Sequence, residues 1–172
     1  MPMSAIRMFL SLTALAVQSA ASAMPPRSVV ERTEKALVEQ MRCDGTPEVA
    51  RAINTLLRNK LIRYKANESG VYMFVPNVPL KFLGLRIKHI SGFDLDTPFK
   101  GVPDSLMVGT APPVFLEIDV AAPSRELKKR ALNAGLVEAI RGKGGFQVSV
   151  KGYATYLGGK SRTVVSSITC VG

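Results

Sequence analysis

Val114-Phe115-Leu116-Glu117-Ile118-Asp119-Val120 runs directly into Ala121-Ala122-Pro123-Ser124-Arg125-Glu126-Leu127. In the first stretch Val114, Leu116, Ile118 and Val120 alternate with Phe115, Glu117 and Asp119, the period of two that belongs to a strand with two unlike faces. In the second the period lengthens. Leu127, Ala131 and Leu132 recur at helical spacing among Arg125, Glu126, Lys128, Lys129 and Arg130, with Ser124 as N-cap and Gly135 as stop. A strand that feeds a helix can belong to several fold classes, so the flanking segments decide.

Downstream, Phe146 to Leu157 and Arg162 to Val171 read as an antiparallel hairpin around Gly158-Gly159-Lys160-Ser161, with Cys170 on the same face as Val164 and Ile168. Upstream, Leu61 to Ala66 and Val71 to Val75 form another hairpin, and Leu80 to Ile90 reads as one long strand. In that strand Leu85, Ile87 and His89 share one face while Arg86 and Lys88 share the other. Two helices come first. Ser28 with Glu31 makes a capping box ahead of Val29, Val30, Thr33, Ala36, Leu37 and Met41, and Thr46 with Pro47 starts a second helix striped by Val49, Ala50, Ile53, Leu56 and Leu57. The predicted class is α+β: two N-terminal helices, a mainly antiparallel sheet of about five to seven strands, and one further helix before a C-terminal hairpin. The segment from Phe93 to Pro113 is punctuated by proline and glycine but keeps Phe99, Val102, Leu106 and Met107, so it is read as an apolar partner-contact loop with a short strand near Leu106 to Val108.

The first 23 residues are read apart from the domain. A start with one charge at Arg7, an apolar run from Met8 to Val17, and the ending Ala21-Ser22-Ala23 follow the pattern of a secretory signal peptide cleaved after Ala23. A mostly apolar run of ten residues falls short of the roughly 20 a membrane-spanning helix requires. Residues 24–172 then form one globular domain in the periplasm or outside the cell, with 22 basic against 13 acidic residues, a net charge of +9 compared with +10 for the whole chain. In an oxidising compartment Cys43 and Cys170 have only one intramolecular pairing, which closes a loop of 126 intervening residues and is worth up to about 4.7 kcal/mol on chain-entropy grounds.

Counting residues removes most cofactor chemistry. Two cysteines and one histidine are too few for the usual structural zinc sites, an iron–sulfur cluster or a bis-histidine haem, so neither a metal nor another cofactor is expected. Gly159-Lys160-Ser161 has part of a phosphate-cradling loop, but Ala154 stands where the first glycine belongs and a β-prone segment follows, so it reads as a turn. Ser-His-Asp chemistry would have to use His89, and no G-x-S-x-G elbow accompanies it. Paired acids remain as the enzymatic alternative: Asp94 with Asp96, or Glu117 with Asp119, could act as general acid and base in a secreted hydrolase.

The stronger signal is cationic. Arg51, Arg58, Lys60, Arg63 and Lys65 lie along the second helix and first strand, and Arg125, Lys128, Lys129 and Arg130, continued by Arg141 and Lys143, lie on and after the third helix. Such groups attract anionic partners at long range. For an exported protein these are phospholipid or lipopolysaccharide head groups, cell-wall polymers and acidic proteins, with peripheral membrane contact included. The order helix, turn, helix, hairpin from Ser28 to Val75 resembles a winged helix-turn-helix, which implies major-groove binding by the second helix in a cytosolic protein started at Met24. The leader and the cysteine pair instead predict export, no nucleic acid, and a binding protein of accessory, inhibitor or immunity type.

Overall fold

A computed structural model describes residues 24–42, 48–65, 71–94, 99–103, 113–136, 147–157 and 161–171, with backbone only for 147–157 and 161–163. These residues form α1 (Arg27–Gln40), α2 (Val49–Arg58), β1 (Ile62–Lys65), β2 (Tyr72–Pro76), β3 (Lys81–Phe82), β4 (Leu85–Phe93), β5 (Phe115–Val120), α3 (Ser124–Asn133), β6 (Gln147–Leu157) and β7 (Ser161–Val171). The fold is α+β, as the periodicities predict. Its sheet runs β1-β2-β4-β5-β7-β6 with β3 attached to β4, and every pairing is antiparallel. Because β6 and β5 are both antiparallel to β7, they point the same way, and α3 carries the chain from β5 past the place of β7 to the edge.

β5 lies in the middle because both of its edges are paired. Leu116, Ile118 and Val120 are fully buried, opposite Gly92, Ile90 and Ile87 of β4 and Cys170, Ile168 and Ser166 of β7. α2 seats Val49, Ala50, Ile53 and Leu56 on this side of the sheet. The closest approach is at Gly92, where a Cβ would come within 2.7 Å of Val49 Cγ1 and 2.9 Å of Ile53 Cδ1. Only glycine leaves room for the helix there.

The long strand expected from Leu80 to Ile90 is in fact two. Leu83 and Gly84 have φ of 53° and 75° and join the register pair Phe82 and Leu85, which is a two-residue turn with both central residues left-handed, the geometry matched to strand twist. Beyond it the ladder shifts register between Ile87 and His89, so that Ile87 faces Val120 and His89 faces Asp119. This bulge overturns the predicted sharing of one face by Leu85, Ile87 and His89, because one extra residue moves every later side chain to the opposite side.

Helix starts also differ from expectation. Neither Ser28 nor Ser124 caps: Pro26 and Pro123 hold the N-cap positions without a side-chain hydrogen bond, and each serine lies at or near the first helical position. α2 begins at Val49 with Glu48 at its N-cap, while Thr46 and Pro47 lie outside the described residues. Helix ends match better. Gly135 has φ of 71°, and the N–H groups of Gly135 and Leu136 donate to the Leu132 and Ala131 carbonyls at 3.0 and 2.9 Å, a Schellman motif. α2 ends identically at Lys60 (φ 54°), whose N–H donates to Leu57 O while that of Leu61 donates to Leu56 O, both at 3.0 Å.

Candidate functional site

α3 is ten residues long and packs against β6 and β7. Leu127 and Ala131, four apart, are fully buried, so the opposite side must face water. Arg125, Lys128 and Lys129 are all exposed there. Leu132, predicted as part of the apolar stripe, points out with them at 51% exposure, since it is one residue past the buried row.

Arg130 has a different role from its basic neighbours. Its Nε donates to Glu126 Oε1 at 2.7 Å and its Nη1 to the Leu83 carbonyl at 2.8 Å, so it fastens α3 to the β3–β4 turn. The guanidinium holds the Glu126 carboxyl below its ordinary range, helped by the nearby Lys129. Glu126 is therefore committed within the helix. No ion pair among the described residues involves Arg125, Lys128 or Lys129.

The other basic group is spread over different surroundings. Arg51 pairs with Glu48 at 2.9 Å, Arg58 Nη2 donates to Thr55 Oγ1 at 3.2 Å, and Lys60 occupies the helix-ending left-handed position. Arg63 and Lys65 are exposed on β1, alternating with Ile62 and Tyr64. β1 and β6 are opposite edges of the sheet, and α3 packs on the β6 side. The two basic stretches therefore belong to opposite ends of the sheet. Arg141 and Lys143 lie outside the described residues.

The predicted partner loop is divided. Phe99 is 4% exposed and meets the Tyr72 and Phe74 rings edge-on at centroid distances of 4.9 and 5.5 Å, so it is core and not contact surface. The Lys100 N–H donates to Asn54 Oδ1 at 2.8 Å and ties the segment to α2. Val102 also packs against the core. Leu106 and Met107, with the strand expected near them, lie outside the described residues.

The acids separate as well. Asp94 accepts the Ala50 N–H at 3.2 Å, at the start of α2, and Asp96 lies outside the described residues. Glu117 and Asp119 do share the sheet face away from Leu116 and Ile118. Glu117 accepts from Thr169 Oγ1 at 2.8 Å, and Asp119 Oδ2 lies 3.4 Å from His89 Nδ1, with side-chain exposures of 6% and 33%. Ser91 and Ser167, opposite Glu117 and Asp119 in the ladder, are buried. No alternation pattern could have paired His89 with Asp119, since the bulge brings them together.

Cys170 is buried opposite Leu116, and no cysteine among the described residues is free; Cys43 lies outside them. Ser161 opens a strand, not the helix a phosphate loop needs. Among the described residues no cluster of histidine, cysteine and acids could hold a metal, and no helix is long and apolar enough to cross a membrane. Comparison of the chain with protein-family models, curated proteins and solved structures finds no match.

Proposed function

We propose that the chain is an exported, basic, disulfide-bridged domain that works by binding an anionic component of the bacterial envelope, or an acidic protein, through the outer face of α3. The observation that carries this reading is the exposure of Arg125, Lys128 and Lys129 side by side with no carboxylate paired to them among the described residues. Cations left unneutralised raise the local concentration of anions and speed their encounter. Export is supported by the leader pattern ending Ala21-Ser22-Ala23. A bridge between Cys43 and Cys170 is supported by the burial of Cys170 and by the lack of a free cysteine among the described residues.

The test is equilibrium binding of fluorescent polyglutamate to the mature domain. Binding that weakens with salt and is lost in the R125A/K128A/K129A variant is the expected result; equal binding by that variant overturns the reading. Intact mass from the native host should show a form starting at Met24 and lighter by the two hydrogens lost on oxidation.

A second reading, a secreted hydrolase, is favoured by the His89–Asp119 contact. A carboxylate on one ring nitrogen leaves the other to accept a proton from water. Ester hydrolysis abolished by Asp119→Asn in a folded variant would support it.

A further inference from the structure

We infer that the partner of the α3 face is the surface of an anionic phospholipid bilayer; this rests on the binding reading above and narrows it. Leu132 follows Lys129 by three residues, Lys128 by four and Arg125 by seven, so all four lie on one stripe covering roughly 100° of the helix. A leucine 51% exposed gains nothing from a soluble polyanion or a hydrated acidic protein surface. At a bilayer it enters the boundary between head groups and acyl chains, while the flanking cations meet phosphates and lay their aliphatic stems along the interface. The charge complementarity is direct, since the stripe has three cations and none of them forms an ion pair among the described residues.

The stripe is also held in one orientation. Leu127 and Ala131 anchor the inner side, Arg130 clamps the helix to the Leu83 carbonyl, and the Schellman motif at Gly135 closes its end. Ordering this surface on binding therefore costs little further chain entropy. A helix of ten residues presents about 15 Å of length, enough to lie on a surface and too short to cross one.

The experiment is co-sedimentation of the mature domain with vesicles of equal parts phosphatidylglycerol and phosphatidylcholine, with pure phosphatidylcholine vesicles and soluble polyglutamate in parallel. Binding to the anionic vesicles should fall about fivefold for each of Arg125→Gln, Lys128→Gln and Lys129→Gln, and about a hundredfold for all three together. Lys128→Arg should retain it. Leu132→Ser should weaken vesicle binding about fivefold and leave polyglutamate binding unchanged. All four positions are exposed, and an unchanged far-ultraviolet spectrum verifies the fold of each variant. Wild-type vesicle binding by Leu132→Ser, or equal binding to pure phosphatidylcholine, overturns the bilayer inference while cation-dependent polyglutamate binding keeps the broader reading. Wild-type binding of both ligands by the triple glutamine variant overturns both.

Discussion

The Asp94 carboxylate accepts a hydrogen bond from the backbone N–H of Ala50 at 3.2 Å, across 44 residues of chain. The first N–H groups of a helix lack partners within it, and a negative group placed there also meets the favourable end of the helix dipole. Asp94 thus caps α2 from the end of β4, a structural role for a residue that could have been read as catalytic. Asp94→Ala should lower stability by about 1–2 kcal/mol, measured by urea denaturation, and leave polyglutamate binding intact. A loss of binding without a loss of stability would contradict the assignment.

Gly92 sets the distance between α2 and the sheet. A methyl group there would overlap Val49 and Ile53 and press on the Phe115 carbonyl at 3.3 Å. Gly92→Ala is expected to cost about 2–3 kcal/mol, the range for overpacking a filled core. The midpoint of thermal unfolding reads this directly, and an unchanged midpoint would mean that α2 does not pack so closely.

At Lys60, by contrast, a side chain occupies a backbone conformation that suits glycine. Lys60→Gly should raise stability by up to about 1 kcal/mol, because relief of left-handed strain exceeds the added freedom of the unfolded chain. It should leave vesicle binding by α3 unchanged, since Lys60 belongs to the opposite end of the sheet. A destabilised variant would show that the lysine side chain contributes more than the backbone strain removes.

The Glu126–Arg130 pair gives a dependence on pH with a defined sign. Its hydrogen bond with Arg130 lowers the Glu126 pKa, so the pair's stabilising contribution is present above the ordinary glutamate range and is lost as pH falls through the lowered folded-state value. Titration of the Glu126 carboxyl carbon by NMR should give a midpoint below that of an exposed glutamate, and Arg130→Met should return it toward the ordinary value. An ordinary midpoint in the unmodified protein would contradict the pair.

Part of the candidate site was legible before the fold. The cations of α3 are consecutive enough to be seen as a group, and the row of Leu127 and Ala131 indicates which side of the helix is buried. The outward turn of Leu132 was not, because at helical spacing it falls at the margin of the apolar stripe, where packing against β6 and β7 decides. Arg130 likewise reads as another surface cation until the Leu83 carbonyl is placed beside it. Phe99 looks like loop contact surface until Tyr72 and Phe74 enclose it.

What this sequence by itself determined is whatever depends on neighbours along the chain: the alternation of β5, the helical spacing of α2 and α3, the Gly135 stop and the excess of positive charge. These follow from the periods of strand and helix and from the conformational freedom of glycine, which act locally. Only the tertiary structure decided the bulge that brings His89 to Asp119, the capping of α2 by Asp94 and the clamp of Arg130. Each of these satisfies a polar group or relieves a clash using a partner far away in sequence. Such partners are chosen by which surfaces can pack together, a choice no local pattern records.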